Sequence, residues 1–208
     1  VALDPGAALG CRAMANSLVD DPDVTAAGLL EELRRIGVEL TRMPVTRPFP
    51  RPAPARRLRV GLLSATLKTH PVGWLPISGF EMLDPAAFVL VCLGPPHGED
   101  AIQRRFRARA SESHVVDGEP AERLAPRLRS LNLDLLIDLG GHGDRGMMAV
   151  CASRVAPVQI KWVGAQNHST GLAEMDWFIT DRWETPPELE ACYTERLLRL
   201  PDGYVCYS

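Results

Sequence analysis

The stretch LRVGLLSATLKTHPVGW, residues 58–74, opens on an apolar run and stops on a histidine locked against a proline, His70-Pro71. The run LRVGLLS (58–64) has the length and composition of a buried strand. Pro71 suits the first position of a helix, so the segment reads as strand, loop and helix start. His70 then falls beyond the carboxyl end of a strand, where ligands bind in an open α/β sheet. No glycine-rich loop follows this strand to cradle a phosphate. Histidine titrates close to neutrality, which makes His70 a candidate general acid, general base or positioning hydrogen-bond partner. The plain alternative is a solvent-facing histidine at a helix start.

Working outward, FVLVCLG (88–94), HVV (114–116), LDLLIDL (133–139), VQIKWVG (158–164) and DWFIT (176–180) are further short apolar runs. Helix-like segments at 100–110 and 120–130 lie between several of them. Strands alternating with amphipathic helices indicate a parallel sheet covered on both faces. The expected fold is therefore α/β, a Rossmann-like doubly wound parallel sheet over residues 58–208. Upstream, Leu29, Leu33, Ile36 and Leu40 recur at helical spacing behind Asp23 or Thr25 as a cap, so residues 1–46 read as a helical segment. RPFPRPAPARR (47–57) can hold neither helix nor central strand and reads as an extended linker and domain boundary. The tail LLRLPDGYVCYS ends without a closing helix.

The composition, 46% hydrophobic and 24% charged over 208 residues, suits a soluble globular protein with one sizeable core. A net charge of -3 carries no global basic signal, and with no local basic patch a nucleic-acid partner is not expected. The five cysteines, at 11, 92, 151, 192 and 206, form no C-x-x-C pair and leave an odd count. That argues against a zinc site and a disulfide framework and for a reducing, cytoplasmic compartment. No apolar run approaches the roughly 20 residues needed to span a bilayer, so no membrane partner is expected. The chain starts on Val1 rather than methionine, which leaves open an upstream targeting segment.

Two further loops could carry chemistry. Gly140-Gly141-His142-Gly143-Asp144-Arg145-Gly146 contains a formal G-x-G-x-x-G between a strand and a short helix, the pattern of a dinucleotide site. Against it, the pattern does not follow the first strand, and the next strand ends without an acidic residue for a ribose hydroxyl. Val163-Gly164-Ala165-Gln166-Asn167-His168-Ser169-Thr170-Gly171 is polar, reads as flexible, and could bind a sugar or simply turn the chain. His168 beside Ser169 is no dyad on adjacency alone. His97 and His114 read as surface or strand-end residues. Trp74, Trp162, Trp177 and Trp183 read as core or rim. Asp176 and Asp181 flank a strand without the spacing of a metal pair.

In order and approximate spacing, LRVGLLSATLKTHPVGW, LDLLIDLGGHG, APVQIKWVG, STGLAEMDWFITD and YTERLLRLPDGYVCY resemble the amino-terminal catalytic lobe of protein O-GlcNAc transferases and Spindly-like proteins, glycosyltransferase family 41. DPDVTAAGLLEELRRIG resembles the helical segment that links the family's tetratricopeptide superhelix to its catalytic region. The resemblance implies one lobe of a two-lobed GT-B transferase that is metal-independent and inverting. A serine or threonine hydroxyl of a protein acceptor attacks a UDP-linked sugar, usually UDP-N-acetylglucosamine. Tetratricopeptide contacts with proteins are implied upstream, and no cofactor beyond the donor substrate is expected.

His70 falls on the family's His-Pro histidine, which contacts the donor and acceptor region and has been proposed as a base. Pro71 and Val72 follow it on the substrate side. Val163 and Gly164 fall on positions lining the sugar pocket through backbone, and Gly141 and His142 on the glycine-histidine pair after the fourth strand. Cations for the departing diphosphate are implied in the carboxyl-terminal lobe. Three departures mark this chain: Thr66 stands where many members carry an aspartate, Val72 replaces a threonine or serine, and the 164–171 turn is longer and lacks a tyrosine and a proline. A degenerate, protein-binding member of the family is the alternative these departures suggest.

Overall fold

The computed structural model describes residues 8–41, 49, 56–96, 98, 100–116 and 119–206. After helices α1 (Ala8–Leu18) and α2 (Ala26–Leu40), strands and helices alternate: β1 (Leu58–Leu63), α3 (Pro71–Glu81), β2 (Phe88–Gly94), α4 (Ala101–Arg109), β3 (Glu112–Val115), α5 (Ala121–Ser130) and β4 (Leu135–Asp138). A 3-10 turn at Gly141–Gly143, α6 (Met147–Ala152), β5 (Val158–Lys161), β6 (Trp177–Asp181), a 3-10 segment at Pro187–Cys192 and β7 (Arg196–Leu200) complete the chain. All seven strands are parallel, in the order β3-β2-β1-β4-β5-β6-β7. The order reverses between β1 and β4, and such a switch point opens a crevice beyond the carboxyl ends of the two strands.

Strand alternation sends successive side chains to opposite faces of the sheet. Leu63, Val89, Val91, Leu93 and Leu136 pack on one face with α1, α2, α5 and α6. Val60, Leu62, Leu90, Cys92 and Ile137 pack on the other with α3 and α4, around Ile77, Phe80 and Phe106. Both faces are covered, which is why the strands read as continuous apolar runs rather than as alternations. The helical segment shares its core with the sheet, because Cys11, Ala15, Leu33, Ile36 and Leu40 belong to the first cluster. Most of the linker expected at 47–57 lies outside the described residues, as does His97.

Several details differ from expectation. The tail holds a seventh strand, paired parallel with β6, which was not among the apolar runs read as strands. RLLRL is short and too charged to stand out as buried. Trp183, expected in the core or its rim, is 61% exposed, with the Arg182 guanidinium 4.2 Å from its ring. The Gln166–Thr170 loop, which reads as flexible, is buried at Gln166, His168, Ser169 and Thr170.

Candidate functional site

His70 stands at the amino terminus of α3 as its cap. Its Nδ1 accepts a hydrogen bond from the Val72 amide at 3.2 Å, and its carbonyl accepts from the Gly73 and Trp74 amides. A nitrogen that accepts from an N–H carries no proton, so the neutral ring holds its proton on Nε2. In this arrangement His70 offers a donor at Nε2; a base role at that atom requires the cap to be released. The loop before it is tied by Asp100, which caps α4 and accepts from the Thr69 amide at 2.9 Å.

The loop after β4 does not cradle an anion. The Gly141 amide donates to Asp138 Oδ2 at 2.7 Å, the Gly143 amide to the Gly140 carbonyl and the Asp144 amide to the Gly141 carbonyl. With those amides used internally, the Gly141 and Gly143 positions of the formal G-x-G-x-x-G do not turn their amides toward a pyrophosphate. What its glycines allow is close approach. A Cβ on Gly140 would stand 2.1 Å from Asp144 Oδ2, and Gly141 takes φ +57° directly over the Lys161 stem. Asp144 thereby reaches across the switch point, accepting from Ser64 Oγ at 2.5 Å and from the Ala65 amide at 2.8 Å. Ser64 has given its one proton to Asp144, so it takes the Thr66 hydroxyl proton in their 2.9 Å contact.

The third loop meets the other two. A Cβ on Gly164 would lie 2.6 Å from the Leu139 carbonyl, 2.9 Å from Val72 and 3.3 Å from the Gly140 backbone. Val163 adopts φ 71° and Ala165 φ 50°. A β-branched residue in the left-handed region is a genuine outlier, and such strain concentrates at functional sites. Of the residues singled out in the sequence, the fold thus brings Val72, Gly141, Val163 and Gly164 together, with His70 and Pro71 leading directly into Val72. His142 is buried beneath them, its Nε2 2.9 Å from the Thr170 carbonyl and its ring centroid 5.8 Å from that of His168.

Beneath the loops lies a set of buried charges. Asp138 at the end of β4 and Lys161 at the end of β5 are register partners, with Nζ and Oδ2 4.0 Å apart and neither side chain open to solvent. Burial raises the Asp138 carboxyl to about 6 against the attraction of Lys161. Burial also lowers the Lys161 ammonium, opposed by Asp138 and Glu195. Burial likewise depresses His142, to about 4, and lowers His168. Glu195 pins the third loop by accepting from Ser169 Oγ at 2.7 Å, from the Thr170 amide at 2.8 Å and from the Thr170 hydroxyl. Lys161 donates to the Trp162 carbonyl at 3.0 Å; fully enclosed, it presents no cation to a ligand in the crevice.

Asp138, Asp144, Lys161 and Glu195 were not singled out in the sequence. Asp138 and Lys161 carried a signal, since a charge inside an apolar run marks a buried polar group in need of a partner. Asp144 and Glu195 carried none, because their partners are 80 and 25 residues away. Asp176 and Asp181 are used structurally. Both Asp176 carboxylate oxygens accept from Arg154 Nη2, and Asp181 accepts the Trp183, Glu184 and Tyr204 amides. Among the described residues no helix is long and apolar enough to cross a membrane.

The model of the family described as "Glycosyl transferase family 41" matches residues 32–207. A probable UDP-N-acetylglucosamine–peptide N-acetylglucosaminyltransferase SPINDLY of Petunia hybrida is 31% identical over 159 residues, covering 74% of this chain and 17% of its own length. The protein named SEC in Arabidopsis thaliana, with the same probable activity, is 26% identical over 172 residues, 82% of this chain and 17% of its own. A mutant O-GlcNAc transferase of Thermobaculum terrenum superimposes with a TM-score of 0.86 at 28% identity, covering 98% of this chain and 39% of that one. The chain therefore spans well under half the length of these proteins. With its whole Rossmann-like sheet inside the matched residues, the chain belongs to glycosyl transferase family 41 and carries an O-GlcNAc transferase-like catalytic lobe.

Proposed function

We propose that the full-length protein transfers a sugar, N-acetylglucosamine, from its UDP conjugate to serine or threonine hydroxyls of a protein, with inversion and without a metal. The observation that carries this reading is the convergence of three loops at the β1/β4 switch point, where Val72, Gly140 and the strained Val163-Gly164 turn touch. Backbone packed this closely gives a floor on which a sugar ring can lie. In this reading Pro71 and Val72 form its edge and Gly141 its far side, with the buried His142 supporting it from beneath.

In this reading His70 Nε2–H orients an oxygen of the donor or the acceptor hydroxyl, while Nδ1 stays on the Val72 amide. Groups that stabilise the departing diphosphate belong to the parts of the family's fold that this chain does not span. The enclosed Lys161 is unsuited to that task. The reading as a protein-binding module rested on Thr66 and on the altered 164–171 loop, and Thr66 bears on it here. Its hydroxyl is one serine away from the Asp144 carboxylate, which supports a carboxylate still acting at this loop.

Calorimetric titration of the full-length protein with UDP, alongside mass-spectrometric detection of hexosamine on acceptor peptides, tests the proposal. The expected result is UDP binding and transfer without added metal. Absence of both leaves the binding-module reading in its place.

A further inference from the structure

Two of the three site loops rest on the amino-terminal helices. Arg12 and Asn16 lie one turn apart on a single face of α1. The Arg12 guanidinium donates twice to the Gly143 carbonyl, from Nε at 3.1 Å and from Nη2 at 2.8 Å. Asn16 Nδ2 donates to the carbonyl of His142 at 3.3 Å. Cys11 and Ala15, on the neighbouring face, are buried in the core, so the helix is held against the loop rather than hanging from it.

Helix α2 holds the other loop by backbone contact. A Cβ on Gly37 would sit 2.6 Å from the Gly171 carbonyl, and one on Gly171, at φ +73°, 2.2 Å from the Leu33 carbonyl. Gly171 follows Thr170, whose carbonyl faces His142 Nε2. His142 is therefore fixed from both helices, through its own backbone by α1 and through its ring by the loop that α2 backs.

We propose that Arg12 and Asn16 are positioning residues for the Gly140–Gly146 loop, so that docking of the amino-terminal helices sets the geometry of the sugar floor. The proposal rests on the functional reading above for its consequence, but not for its structural arm. Arg12 touches no reacting atom; it acts through Gly143 and His142. A charged donor aimed at the last carbonyls of a three-residue 3-10 turn holds a geometry that is otherwise weak. Motion of α1 relative to the sheet acts on Gly143 and His142 through these hydrogen bonds as well as through the shared core.

The test uses the full-length protein with Arg12→Ala, Arg12→Lys and the Arg12→Ala/Asn16→Ala pair. Amide exchange at residues 141–146 is read beside exchange in β1 and β4. The expected result is exchange roughly tenfold faster in the loop of Arg12→Ala, with the strands unchanged and substantial recovery in Arg12→Lys. Transfer kinetics should show a raised KM for the sugar donor at little-changed thermal stability. Unchanged loop exchange in the double variant overturns the proposal. So does equal acceleration in loop and strands, which marks a general stability effect, or a loosened loop with unaltered transfer. If the wild type transfers no sugar, the functional reading fails, and the exchange measurement still decides whether α1 holds the loop.

Discussion

Asp144 Oδ2 accepts a 2.5 Å hydrogen bond from Ser64 Oγ, joining the loop after β4 to the loop after β1 across the point where the sheet reverses its strand order. A second bond from the Ala65 amide makes the carboxylate a two-point latch. Replacing Asp144 by alanine strands a buried serine hydroxyl and an amide, at an expected cost of about 2–3 kcal/mol in urea unfolding. Gly140→Ala should cost a similar amount, since its Cβ would occupy the space of the carboxylate. The two changes act on one contact, so the double variant is expected to fall clearly short of the sum. Full additivity would show that the latch is not what Gly140 accommodates.

His70 combines a cap with the proposed substrate contact, and two substitutions separate them. His70→Ala loses the bond to Val72 and should cost about 1 kcal/mol, together with sugar transfer by the full-length protein. His70→Asn retains a capping oxygen and is expected to restore the stability but not the transfer. Recovery of transfer by asparagine would reduce His70 to a helix cap.

Glu195 was not singled out in its stretch of sequence, yet it satisfies two hydroxyls and an amide in a buried loop. Glu195→Ala should destabilise the fold by about 3 kcal/mol and speed amide exchange at residues 169–171. The effect should extend to His142, whose ring nitrogen faces the Thr170 carbonyl. Imidazole NMR resonances unshifted in the variant would contradict that coupling.

The buried His142 should be read in the pH dependence of stability. Its folded value is depressed to about 4 from the ordinary 6.5, mainly by burial. The unfolded chain therefore binds the extra proton between these values. The contribution to stability is complete above about pH 6.5 and is lost as pH falls toward 4. Asp138, raised to about 6, runs the other way: its contribution is present below its ordinary 3.8 and lost as pH rises through 6. A comparison with His142→Gln isolates the first effect. The stability gap between wild type and variant should narrow by on the order of 2 kcal/mol between pH 7 and pH 4.5. A gap independent of pH would mean that His142 titrates as it does in water.

Much of this architecture could be read locally. The strands at 58–63, 88–94, 135–138 and 158–161 lie within the apolar runs expected for them, the strand at 177–181 overruns its expected 176–180 by one residue, and Pro71 begins a helix capped by His70. β7 could not be read this way, because RLLRL depends on its pairing with β6 for its meaning. The loop at 163–171 misled for a related reason. Polar residues usually mark a surface, and here they are buried by α2 on one side and by Glu195 on the other.

Sequence alone determined the class of fold and the candidacy of His70, since apolar runs, caps and a His-Pro pair act within a few residues of chain. It also placed Gly141, His142, Val163 and Gly164 in loops of interest. Only the tertiary structure decided that these loops meet at one floor, that Asp144 latches Ser64 beside Thr66, and that α1 holds the His142 loop. The latch and the α1 contact join residues 80 and 131 positions apart. They come into being when the strand order sets β1 beside β4, and no local pattern encodes that adjacency.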